Sequence, residues 1–195
     1  MSTKPGVVLG DRFIAGVREA VRLHAHQARK ASDVPYLSHL LAVAGLVLEH
    51  GGDEDQAIAA LLHDGPEDQG GEATLAIIRD RFGDRVVAIV AACSDTFETP
   101  KPPWRERKEA YIAHLAEKGP DVWPVTLADK VHNARTIVAD LRELGPASLD
   151  RFNGGREGTL WYYGTLAAEL TVLAPGVLAD ELLALATEMR ALAER

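Results

Sequence analysis

Ala57-Ile-Ala-Ala-Leu-Leu-His63-Asp64-Gly-Pro-Glu67-Asp68 is the stretch that decides how the chain reads. An apolar, helix-forming run leads directly into a His-Asp pair, and two further acids follow within one helical turn. Apolar helices in soluble proteins commonly end on a glycine with one compensating charge. A histidine and three carboxylates around a Gly-Pro break instead predict a buried helix that delivers a metal-and-water site at its end. On a continuous helix His63 and Glu67 (i,i+4) and Asp64 and Glu67 (i,i+3) would share a face. Gly65-Pro66 predicts that the helix stops there, leaving Glu67 and Asp68 to hook around its end.

The neighbouring segments also read as helices. Phe13, Val17, Ala20, Val21 and Leu23 recur at helical spacing and predict a helix over 12–29 that ends in His24, His26, Arg29 and Lys30. Val34-Pro35 breaks it, because the residue before proline disfavours the helical region. Tyr36-Leu-Ser-His39 leads into a helix over about 40–49, closed by Gly51-Gly52, and Asp53 is the expected N-cap of the third helix. Gln69-Gly-Gly is a turn, and further helical patterns cover 72–81, 84–92, 106–117, 121–144 (with Pro124 in its first turn), 160–173 and 177–192. No segment alternates with period two between hairpin turns. The expected fold is all-α, a single-domain bundle over 1–195 of about eight to eleven helices.

Composition narrows the function classes. A chain of 195 residues, 47% hydrophobic and 26% charged, is long enough to bury a core without disulfide staples. The formal net charge of −8 argues against nucleic acid or an anionic membrane as partner. An anionic small molecule would then have to be met by a metal ion or by local lysines and arginines. Cys93, the one cysteine, supports neither an internal disulfide nor a thiolate zinc site. No apolar run approaches the ~20 residues of a membrane span, and the apolar part of the N-terminus is too short for a signal peptide. A cytoplasmic protein is expected. The Leu/Ala-rich 177–193 fits an internal helix or a dimer face, so monomer and homodimer both stay open.

A second helical segment, Leu127-Ala-Asp129-Lys-Val-His132-Asn133, places Asp129 and Asn133 on one face, and His39 falls at a helix start. Two imidazole nitrogens with two aspartate oxygens suit Mn²⁺, Fe²⁺ or Zn²⁺ and leave room for water. Glu67 or Asp68 could orient that water or shuttle its proton. Taken singly, each residue has a plainer role. A His-Asp dipeptide is common, Asp129 alone is a solvated acid, and Arg29-Lys30 suits a charged helix end. Trp161-Tyr162-Tyr163 suits a core, and His24, His26, His50 and His114 suit surface or internally satisfied positions. The combination carries the inference.

Together the motifs resemble the HD-domain phosphohydrolases. Tyr36-Leu-Ser-His39, His63-Asp64-x-x-Glu67-Asp68 and Leu127-Ala-Asp129-Lys-Val-His132-Asn133-Ala-Arg135-Thr136 follow that family's order and spacing, most like the hydrolase domain of RelA/SpoT-type proteins and the small alarmone hydrolases. His24-Ala-His-Gln27-Ala-Arg29-Lys30 is similar to the family's N-terminal segment, with His26 where a glycine is usual. The likeness covers about 24–136, more loosely reaches the aromatic stretch at Trp161, and leaves the helices of about 156–193 beyond it.

The resemblance implies that His39, His63, Asp64 and Asp129 hold one divalent metal, usually Mn²⁺, with Fe²⁺, Zn²⁺ or Mg²⁺ as alternatives. It implies that Glu67 and Asp68 position the attacking water. Arg29, Lys30, Asn133, Arg135, Trp161 and Tyr162 are the substrate-side candidates. The implied reaction removes the 3′-pyrophosphate of guanosine tetra- or pentaphosphate, and the chain has no room for the synthetase domain of long family members. Gly65 and Pro66 stand where two aliphatic residues are usual, and Gln69-Gly-Gly replaces the usual threonine. The alternatives are a phosphatase or nucleotidase for another phosphorylated metabolite and a non-catalytic nucleotide-binding module. The Lys/Arg cluster of the Pro-rich 94–108 segment matches no family motif and suits either a segment that closes over phosphates or, by a small margin, a solvated loop.

Overall fold

The computed structural model describes residues 6–30, 32–98 and 100–195. Among them are ten α-helices and no strand; the only pairing of extended backbone is an isolated antiparallel bridge between Ala28 and Pro35. The all-α expectation holds. By compactness the chain divides into two units, one ending at Ser94 and the other beginning at Asp95. No helix among the described residues is long and apolar enough to cross a membrane.

The first unit is built around α3 (Glu54–Leu62), the helix of the apolar run. Ala57 through Leu62 are all fully buried, because α3 is apolar on every side and is wrapped by α1 (Asp11–Leu23), α2 (Leu37–Glu49) and α6 (Asp84–Cys93). Asp53 caps it as expected, and the cap is reciprocal. Its carboxylate accepts from the Gln56 N–H at 3.0 Å while the Gln56 side chain accepts from the Asp53 N–H at 3.1 Å. The start of α3 is further tied by Arg12 to Asp55 at 2.8 Å and by Arg85 to Asp53 at 2.8 Å. Beyond α3, Gly65–Asp68 forms the single turn α4, with Pro66 in the position where its missing N–H does no harm. α5 (Gly71–Phe82) follows the Gln69-Gly-Gly turn, where Gly70 has φ +111° and a Cβ would lie 2.9 Å from Thr74 Oγ1.

Glu19 of α1 is almost fully enclosed, yet its carboxylate meets two guanidinium groups. Arg22 donates at 3.1 Å from Nε and 2.6 Å from Nη2, and Arg81 of α5 donates to the other oxygen. The hydrogen bond from Arg22 outweighs burial and holds the Glu19 carboxyl below its ordinary range.

The helix expected over 106–117 ends at Ala113 and gives way to a 3₁₀ turn, and the first helix departs further. α1 stops at Leu23, not near Arg29. The chain instead doubles back, with the Arg29 N–H donating to Val34 O at 2.8 Å and the Tyr36 N–H to Gln27 O at 2.8 Å. These bonds, together with side-chain contacts to α4 described below, replace the helical bonds that local propensity favours.

The second unit contains α7 (Trp104–Ala113), α8 (Trp123–Leu144), α9 (Gly155–Leu173) and α10 (Val177–Ala193), with 3₁₀ turns at Leu115–Glu117 and Pro146–Arg151. Pro124 does sit in the first turn of α8. Its core is Val125, Val131, Val138 and Leu141 of α8 against Leu166 and Leu170 of α9 and Leu182 and Met189 of α10, so α10 packs within this unit. Trp104 lies flat against backbone at Gly154 and Gly158, where a Cβ would come within 2.6 Å and 2.9 Å of its ring.

The basic cluster of 94–108 is only partly solvated: Lys101 and Arg105 are exposed, but Arg107 and Lys108 are drawn inward. Asp95, whose side chain is only 2% exposed, receives Arg107 Nη1 and Lys108 Nζ at 2.6 Å each, both from α7. Burial pushes the Asp95 carboxyl up, but the Lys108 and Arg107 charges prevail and hold it below its ordinary range. Arg105 stacks 3.3 Å above the Trp161 ring and pairs with Glu109 at 2.6 Å.

Candidate metal centre and substrate-side residues

Three of the expected ligands converge within the first unit. His39 is the third residue of α2, and His63 and Asp64 stand at the end of α3. His39 and His63 are buried, their rings 5.4 Å apart. Asp64 Oδ2 lies 3.0 Å from His63 Nε2 and 3.6 Å from His39 Nε2. His63 Nδ1 lies 2.8 Å from the Ala60 carbonyl, which can only accept, so Nδ1 carries the proton and Nε2 offers its lone pair. A lone pair and a carboxylate oxygen 3.0 Å apart repel unless positive charge lies beside both. The donor set therefore fits a divalent cation, with two imidazole nitrogens and one carboxylate oxygen aimed at a common point.

Tyr36 also belongs here. Its hydroxyl donates to Asp64 Oδ2 at 2.6 Å, and its ring is flanked by His24 at 5.2 Å, stacked, and by His39 at 5.5 Å, edge-on. In the sequence Tyr36 stands out only as part of the Tyr36-Leu-Ser-His39 motif. Its spacing from His39 (i,i+3 at a helix start) was the available signal.

Glu67 and Asp68 lie on the single turn α4, which follows α3 after His63 and Asp64. Asp68 is exposed and its Oδ2 accepts from Gln27 Nε2 at 2.8 Å. The Arg29 guanidinium lies 5.7 Å from the centre of the Tyr36 ring, and Lys30 is exposed.

In the second unit Asp129 is buried on α8, with both oxygens engaged: Asn133 Nδ2 donates to Oδ1 and Lys130 Nζ to Oδ2, each at 2.6 Å. Burial would push the Lys130 ammonium down, but the Asp129 charge outweighs it and holds the ammonium well above its ordinary value. Arg135 is exposed and grips Glu181 of α10 through two bonds of 2.6 and 2.9 Å. Tyr162 is buried in an aromatic cluster with Trp104, Trp161 and Tyr163; burial pushes its phenol far up, and its hydroxyl has no hydrogen-bond partner among the described residues. Trp161 is half-buried beneath Arg105.

Residues 17–151 match the family model of the HD domain, well over half of the chain, and the chain belongs to that family. It is 37% identical over 116 residues to a probable GTP pyrophosphokinase of Mycobacterium leprae, covering 58% of this chain and 14% of that protein. It is 34% identical over 121 residues to the human guanosine-3′,5′-bis(diphosphate) 3′-pyrophosphohydrolase MESH1, covering 60% of this chain and 65% of that one. The chain thus spans only 14–16% of the long bacterial relatives it matches. The solved structure of a metazoan ortholog of SpoT, described as hydrolysing ppGpp, superposes with a TM-score of 0.73 over 98% of this chain and 99% of that one, at 22% identity. At that identity the likeness is one of fold.

Proposed function

We propose that the chain is a metal-dependent 3′-pyrophosphohydrolase of guanosine 3′,5′-bis(diphosphate), converting it with one water to GDP and pyrophosphate. The observation that carries this reading is the arrangement of His39, His63 and Asp64 at the end of a fully buried helix, two imidazoles facing one carboxylate oxygen. The curated relatives whose names state this reaction support the choice of substrate.

In this reading Asp129 is the fourth ligand and Mn²⁺ the native ion. The ion, when bound, supplies Lewis acidity and brings the pKa of a coordinated water toward ~7. Glu67 and Asp68 orient the attacking water and accept its proton. Tyr36 keeps Asp64 turned toward the two imidazoles through its 2.6 Å hydrogen bond. Arg29 and Lys30 meet the phosphates or base, and Asn133 meets the nucleoside. Local cations matter on a chain whose net charge is −8, because they reverse the field where an anion must land.

The test is incubation of the purified protein with Mn²⁺ and guanosine tetraphosphate, with products resolved by anion exchange. GDP with pyrophosphate is expected. Orthophosphate in place of pyrophosphate would overturn the reaction and favour a phosphatase. Stoichiometric binding without turnover in a metal-loaded sample would favour a binding module.

A further inference from the structure

We propose that Gln27 is a positioning residue that holds the Asp68 carboxylate through a hydrogen-bond chain beginning at the buried His24. The inference rests on the reading that Asp68 handles the attacking water, and every residue in it belongs to the first unit.

A carboxylate oxygen accepts, so the Gln27 group 2.8 Å from Asp68 Oδ2 is the amide NH₂. That orientation turns Gln27 Oε1 toward His24 Nδ1, 2.7 Å away, and toward Gln69 Nε2, 3.1 Å away. An amide oxygen cannot donate. His24 Nδ1 must therefore carry the ring proton, and the donors run in one direction, from His24 to Gln27 to Asp68. The opposite flip of the amide would set its oxygen against a carboxylate and its NH₂ against a second NH₂.

His24 is itself immobilised. It is 3% exposed, its ring stacks on Tyr36 with centroids 5.2 Å apart, and its Nε2 has no hydrogen-bond partner among the described residues. The backbone holds Gln27 from both sides, since its N–H donates to His24 O at 3.1 Å and its carbonyl accepts from the Tyr36 N–H at 2.8 Å. Asp68 by contrast is exposed, on a single helical turn. A held donor aimed at an exposed acid is what distinguishes positioning from mere packing. Gln69, where the family usually has threonine, adds a second donor to the same amide oxygen. The chain also accounts for the early end of α1, because His24 and Gln27 are turned out of the helix to make it.

The test compares wild type, Gln27→Ala, Asp68→Asn and the double variant, in the presence of Mn²⁺ and guanosine tetraphosphate, with enzyme in excess for the slow forms. Gln27→Ala is expected to lower kcat by about 10- to 100-fold, the usual effect of losing an orienting partner, with KM and bound metal unchanged. In the Asp68→Asn background the same substitution should add less than about twofold, because Gln27 acts only through that carboxylate. Equal factors in both backgrounds, or a rise in KM alone, would overturn the proposal. A second readout needs no turnover: ¹⁵N NMR of the His24 ring should find the proton on Nδ1 in the wild type. A proton on Nε2 reverses the donor chain and ends the proposal. A wild type that does not cleave guanosine tetraphosphate, with Nδ1 protonated, would instead refute the assigned reaction and leave the hydrogen-bond chain standing.

Discussion

Replacing Glu19 by glutamine should destabilise the protein by an amount that depends on pH in a defined direction. The Glu19 side chain is 1% exposed, whereas those of Arg22 and Arg81 are 57% and 51% exposed. Loss of the carboxylate therefore strands no buried cation, and the 3–5 kcal/mol associated with breaking a fully buried pair does not apply. Glutamine keeps one acceptor oxygen for one arginine and turns its NH₂ against the other, so one charge-assisted hydrogen bond is lost, worth about 2 kcal/mol. For a chain of this size that is a fall in Tm of about 4–8 °C. The Glu19 carboxyl is held below its ordinary value of 4.5, chiefly by the Arg22 hydrogen bond. As pH falls the unfolded chain takes up this proton first, so the stabilisation is complete above the unfolded value and disappears as pH drops through the folded one. Urea unfolding of wild type and Glu19→Gln near pH 7 and again near pH 3 reads this directly. The difference between them should shrink toward zero at the acid end. A difference of the same size at both pH values, or none near neutrality, would refute the charge-based account of this site.

Two further outcomes follow from the geometry. Asp64→Ala removes a carboxylate oxygen that faces both imidazoles, so the variant should lose bound divalent metal after desalting, measured by elemental analysis; metal content equal to wild type would refute its role as a ligand. Gly158→Ala inverts the usual helix rule. Alanine ordinarily stabilises a helix by about 1 kcal/mol over glycine, but here its Cβ would lie 2.9 Å from the Trp104 ring, and overpacking should destabilise by about 1–3 kcal/mol with a changed near-ultraviolet circular dichroism. An unchanged or raised Tm would show that Trp104 moves aside freely.

The features legible in the chain were those that local chemistry determines. The apolar run at 57–62 announced a buried helix, Asp53 its start, Gly65-Pro66 its end, and the His-Asp pair the residues delivered there. What escaped was decided by residues distant in sequence. The end of α1 at Leu23 depends on Gln27 meeting Asp68, forty-one positions away, and nothing near His24 announces that contact. The 94–108 cluster read as solvated because Lys and Arg usually are. The inward turn of Arg107 and Lys108 follows from Asp95, a single acid at the far end of the segment. Tyr36 lay between, visible as a neighbour of His39 but with no local sign that its hydroxyl would reach Asp64.

The tie between Asp95 and the second turn of α7 has a consequence for how this segment can change. Its two ends are held by charge-assisted hydrogen bonds, each worth about 1.5–3 kcal/mol, and by the seating of Trp104 on glycine backbone. Doubling the length of a flexible loop adds only about 0.6 kcal/mol of closure entropy. Length between the anchors is therefore nearly neutral while the anchors themselves are not. Insertions beside the exposed Glu98 should therefore leave α7 undisturbed, whereas Pro102, whose carbonyl accepts from Arg107 Nε at 3.1 Å, belongs to the anchor itself.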